Sequence, residues 1–147
     1  EQDYIFHPAQ NKVDVGDGEM MDLPKRGIQD MISAFYYART IDFSEAKEGD
    51  EFEVPMFVDE EYFPMKIKLL GRETIKTDLG LIHCLKFVPL VQEGRIFKED
   101  EDLTVWISND VNKIPVRAQA DVLVGSIKLD LTGVKNLVAP LDIKKKK

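Results

Sequence analysis

Cysteine occurs once and histidine twice among the 147 residues of this chain. The lone Cys84 excludes an internal disulfide, and His7 and His83 sit in no metal-ligand spacing such as H-x-x-x-H, so a zinc site has too few ligands to draw on. Within one strand His83 and Cys84 point to opposite faces, which excludes them as a nucleophile pair with each other and makes Cys84 a small core residue. Also missing are a G-x-S-x-G elbow, a G-x-x-x-x-G-K-S/T phosphate loop and a G-x-G-x-x-G turn, the devices that expose a nucleophile or cradle phosphates. The sequence therefore offers no catalytic residue, no cofactor and no metal, and it points away from an enzyme.

Positive charge is scarce as well. The net charge is −7, and it becomes −11 when the four lysines at 144–147 are set aside. That balance argues against a nucleic-acid partner, and the lysine run reads as a solvated chain end. No apolar run approaches the ~20 residues of a membrane helix, and no charged-then-apolar signal region is present. The chain starts at Glu1 rather than Met, so a targeting segment is expected to have been removed or to lie outside it.

What is present is enough apolar material for a core. Hydrophobic residues make up 44% and charged residues 32%, the balance of one ordinary globular domain. Residues 1–27 mix Pro8, Gly16, Gly18 and Pro24 with acids, and read as an irregular N-terminal segment with at most one short strand at 4–7. Residues 28–147 read as a helix followed by an antiparallel β domain ending in the lysine tail. Ile28, Met31, Ile32 and Phe35 fall at the i, i+3, i+4, i+7 spacing of one helical face, with Asp30 as a cap, and predict an amphipathic helix over 29–39.

From Glu51 onward the period changes to two. Phe52, Val54 and Met56 alternate with polar or turn residues, and the acidic turn Asp59-Glu60-Glu61 leads to Phe63, Met65, Ile67 and Leu69, a predicted hairpin. Gly71 is expected to break that second strand or to form a bulge. Further strands are expected over 73–77, 81–90, 95–98, 103–108, 114–124 and 126–131, with turns at 78–80, 99–102, 109–113 and Gly125. Strands that follow one another by short turns with no second helix favour an antiparallel meander over a parallel α/β sheet. The predicted fold is mainly β: an antiparallel meander forming a curved sheet or half-open barrel packed on the one helix.

Two groups of residues invite a chemical reading. The acids at Asp14, Asp17, Glu19 and Asp22 and at 99–102 lack the ligand order of a calcium loop and read as solvated turn charges. The stretch from Trp106 to Arg117 is the most distinctive: an aromatic strand, an Asn/Asp-rich turn and a return strand begun at Pro115. Its plain reading is a well-specified hairpin. Its functional reading makes Trp106 and Arg117 the wall and rim of a ligand cleft, because alternation places Trp106 with Thr104 and Ser108, on the more polar face.

The segments at 30–39, 71–75 with Leu79-Gly80, 93–98, 106–117 and 124–128 resemble an uncharacterised family of exported proteins from Gram-negative bacteria, known as a domain of unknown function. The resemblance spans residues 23–131. It implies a periplasmic or cell-envelope location and further β-strands ahead of the helix, so residues 1–27 are expected to be the remnant of a larger sheet. The W-x-x-x-D and P-x-R elements are more loosely similar to periplasmic lipoprotein carriers, whose half-open barrel holds acyl chains. Three expectations follow. The first is a concave sheet that binds a lipid or other hydrophobic small molecule, with Phe35, Tyr36, Trp106 and Arg117 as candidate ligand-binding residues. The second is a structural or protein-interaction module whose open sheet edge pairs with a missing N-terminal segment or a second chain. The third is a metal-assisted hydrolase built on the acidic turns.

Overall fold

A computed structural model describes residues 3–16, 18–90, 103–122 and 124–144. The strand expected at 95–98 and the turn at 99–102 lie outside the described residues. The chain forms two compact units, Glu1–Thr40 with Glu53–Met65, and Ile41–Phe52 with Lys66–Lys147.

The first unit opens with three short strands, β1 (Ile5–His7), β2 (Lys12–Asp14) and β3 (Met20–Asp22), in an antiparallel sheet of order β1-β2-β3. One strand was expected here. Three-residue strands are too short for alternation to register among the Gly and Pro residues, but Val13 at 0% exposure and Leu23 at 7% anchor them in a cluster with Ile28 and Phe57. Tyr4 and Phe6 close that cluster by setting their rings edge-on to Phe57, at 5.5 and 6.2 Å between centroids.

Helix α1 is Met31–Ala38, with Asp30 as N-cap accepting from the backbone N–H groups of Ile32 and Ser33. Ile28, Ile32 and Phe35 do not share one buried helical face. Gln29 pairs in parallel with Met56, donating to Pro55 O and accepting from Phe57 N, so Ile28 and Gln29 are held extended ahead of the cap. Ile28 is buried from that extended stretch, out of helical phase with Ile32 and Phe35. The helix buries Ala34 and leaves Ile32, Phe35 and Tyr36 exposed.

The large sheet runs β4 (Glu51–Val58), β5 (Glu61–Lys76), β6 (Leu81–Leu90), β7 (Leu103–Ser108), β8 (Pro115–Val122), β9 (Gly125–Asp130), each paired to the next, with β10 (Ile143–Lys144) beside β6. The meander is antiparallel. The sheet stays open: β4 and β9 are the ends of the strand path and do not pair with each other. Asp59 and Glu60 both take positive φ, +51° and +60°, the two-residue turn that matches the right-handed twist of a hairpin. Gly71 does not end β5. At φ +140° it makes a bulge, the register slipping between Leu69 and Gly71 while the strand continues to Lys76.

In the second unit both sheet faces are apolar. Leu69, Leu85 and Phe87 form one cluster with Phe43, Ala46 and the partly buried Ile41, Phe52 and Ile107. Their neighbours along the same strands point the other way. Ile75, Ile82, Cys84, Trp106 and Val116 form a second cluster, covered by Leu131, Leu141 and Ile143. The segments before β4 and after β9 thus fill the two faces of the sheet.

Candidate functional site

Trp106 stands in β7 opposite Lys86 of β6 and Arg117 of β8. Alternation puts it on the face of Ser108 and Cys84, where an apolar cluster packs on the ring and Glu73, Lys86 and Arg117 lie around it. The indole is 6% exposed and packed in the second cluster. Its Nε1 donates to Glu73 Oε2 at 2.9 Å, and Lys86 Nζ lies 5.3 Å from the ring centroid and 3.7 Å from the same Glu73 oxygen. A carboxylate, an ammonium and the indole N–H therefore satisfy one another at the edge of a buried ring.

Arg117 points to the same side and forks onto Asp130 of β9, Nε to Oδ1 at 2.5 Å and Nη2 to Oδ2 at 3.0 Å. The hydrogen bonds from Arg117 hold the Asp130 carboxyl below the usual range and raise the guanidinium in turn. Asp130 and Leu131 help line an open depression of about 200 Å³ with Lys76, Thr77 and Asp78. So the structure sets Trp106 and Arg117 side by side. Phe35 and Tyr36 belong to the first unit, exposed on α1, with the Arg39 guanidinium 5.9 Å from the Tyr36 ring.

The turn between β7 and β8 is a dense polar knot. Asp110 accepts from Ser108 Oγ at 2.7 Å and from the backbone N–H groups of Asn112 and Lys113 at 2.9 and 3.1 Å. Burial pushes the Asp110 pKa up, but these hydrogen bonds outweigh it and hold the carboxyl below its usual value. Asn112, 2% exposed, donates to Ala139 O and accepts from Ala139 N. These groups are spent on holding the chain.

His83 shares a 2.7 Å hydrogen bond with Thr74, and burial pushes the Cys84 thiol up to about 12, far from a reactive thiolate. Among the described residues no three of His, Cys, Asp and Glu converge in a way that could hold a metal ion, and no helix is long and apolar enough to cross a membrane.

The strand β9 falls where the sequence placed one, and what residue-by-residue reading missed is its exposure. All six of its residues are exposed, Ile127 at 60% and Leu129 at 68%, and the preceding Val124 at 93%. Among the described residues no strand lies on its far side. The alternation of Ile127 and Leu129 was visible, but it reads identically in a strand that packs inward and in one left bare.

Fold and site together define an antiparallel β-meander domain with an exposed apolar edge strand and no metal-ligand cluster among its described residues. A family model described as a protein of unknown function, DUF3108, matches residues 3–132, and the chain belongs to that family. No curated protein and no solved structure matches it.

Proposed function

We propose that this is a non-enzymatic interaction domain of the bacterial cell envelope that binds another polypeptide by adding a strand to the open edge of β9. The observation that carries the reading is β9 itself, exposed along its whole length with Ile127 and Leu129 bare on the outermost strand. An edge strand presents unpaired N–H and C=O groups that a second strand can satisfy, and bare apolar side chains add area to that pairing. The envelope setting is part of this proposal and rests on the sequence resemblance alone. The test is the size of the native protein in an envelope extract, compared with an Ile127→Lys, Leu129→Lys variant of unchanged circular dichroism. A larger native species lost in the variant supports the reading. A native protein that runs as a single chain, indistinguishable from the variant, overturns it.

A second reading, binding of a lipid or other hydrophobic small molecule, is favoured by Ile32, Phe35 and Tyr36, exposed at 74%, 56% and 65% on α1. Such a ligand would travel with the native protein through native mass spectrometry and be lost on Phe35→Ser with Tyr36→Ser. A clean apo mass in the native protein counts against it.

A further inference from the structure

We infer that the strand paired with β9 is β9 of a second copy of this chain, running antiparallel with its two-fold axis at Leu129. The inference rests on the edge-pairing reading above and names its partner.

Backbone geometry decides which groups are free. Leu131 N donates to Val116 O, extending the β8–β9 ladder in which Arg117 faces Asp130 and Ala118 faces Leu129. In an antiparallel ladder alternate residues direct N–H and C=O to the same neighbour. Ile127, Leu129 and Leu131 therefore spend theirs on β8, and Ser126, Lys128 and Asp130 direct theirs to the open side. A new strand hydrogen-bonds to those three.

Charge then selects the occupant. A lysine on an open edge ordinarily discourages pairing, so a strand that settles against Lys128 must bring an acid to face it. The chain's own β9 does so. With the axis at Leu129, each Lys128 faces Asp130 of the other copy, both residues having their backbone groups turned outward. Leu129 meets Leu129 on the opposite face as the closely spaced, non-hydrogen-bonded pair. Moving the axis by one residue sets Lys128 against Lys128 or Asp130 against Asp130, and moving it to Ile127 sets Lys128 against Ser126. Only the Leu129 register pairs opposite charges, and it places each Asp130 between its own Arg117 and the other copy's Lys128.

The test uses the full chain. Cys84 is 1% exposed, so a single introduced cysteine reports alone. Under mild oxidation Leu129→Cys is expected to form a disulfide-linked dimer about tenfold faster than Ser126→Cys, because the axial pair brings the two Cα atoms to disulfide range. Sedimentation of the native protein is expected to pass from monomer to dimer with concentration. Lys128→Asp, which sets acid against acid twice, is expected to weaken that dimer about tenfold or more with unchanged circular dichroism. A native protein that stays monomeric, with Leu129→Cys no faster than Ser126→Cys, overturns the inference. If that monomer still shows the larger, edge-dependent species in envelope extract, edge pairing stands and the partner is another chain. If it shows none, both readings fall. Fastest crosslinking from Ile127→Cys overturns the register.

Discussion

Trp106 and Glu73 meet across the intervening strand β6, the indole Nε1 2.9 Å from the carboxylate, in register columns that also hold Lys86 and Cys84. The ring is a core element with a polar fastening. Trp106→Ala is expected to cost about 3–5 kcal/mol, the range for deleting a buried aromatic. Glu73→Ala, which removes the indole's acceptor and the partner of Lys86 but keeps the ring, is expected to cost about 1 kcal/mol. Urea unfolding followed by circular dichroism measures both. A Trp106→Ala protein with the native midpoint would show that the ring contributes no core packing.

Asn112 ties the β7–β8 turn to the C-terminal segment through two hydrogen bonds to Ala139. That segment carries Leu131, Leu141 and Ile143 onto the second cluster, so the bonds hold a cover in place. Asn112→Ala is expected to cost about 1–2 kcal/mol, since it removes a buried amide that holds partly buried backbone groups of Ala139. Limited proteolysis is expected to cut first within 132–140. Unchanged stability and a first cut elsewhere would place the cover's anchorage in its apolar contacts alone.

What the sequence made legible follows the length of the signal. The strands β4 to β9 were readable because alternation runs long enough in each to stand out, and the Asp59-Glu60 and Asn109 to Lys113 turns carry their own chemistry. The N-terminal strands were not, because three residues hold barely one period. The helix face failed for a different reason: Ile28 was counted as a helical turn, yet its neighbour Gln29 is bound to Pro55 and Phe57 by pairs of high sequence separation. Trp106 shows the limit of alternation in a sheet covered on both faces. It places the side chain correctly but says nothing of what lies above it, and here Leu131, Leu141 and Ile143, far along the chain, cover the cluster that holds the ring. The Arg117–Asp130 fork was invisible because it depends on the β8–β9 register.

Asp110 makes stability depend on acid. Its folded pKa lies below the ordinary value of 3.8, so the folded chain binds that proton less readily than the unfolded one. The contribution is then fully present above about pH 4 and is lost as pH falls through the folded value. Asp110→Asn is expected to lower stability by about 1 kcal/mol at pH 6 and to match the native protein more closely as pH falls through the folded value. Urea midpoints across that range decide it. A gap that stays constant with pH would assign the loss to turn geometry rather than to charge.

Gly80 closes the β5–β6 turn where Thr77 and Gly80 exchange backbone hydrogen bonds. Its φ is +137°, and a methyl group there would drive into the Ile143 side chain and sit 3.0 Å from the Lys144 carbonyl oxygen. The backbone angle and the contact with β10 each require glycine. Gly80→Ala is thus expected to cost about 1–3 kcal/mol and to loosen β10 from β6. Amide exchange separates the two causes. Fast exchange at Leu81 and Ile82 and along 141–144, with the rest of β6 protected, is the signature of a displaced β10. Uniform acceleration across the sheet would mean that the strain of the turn dominates, and native exchange throughout would mean that the turn and β10 accommodate the methyl.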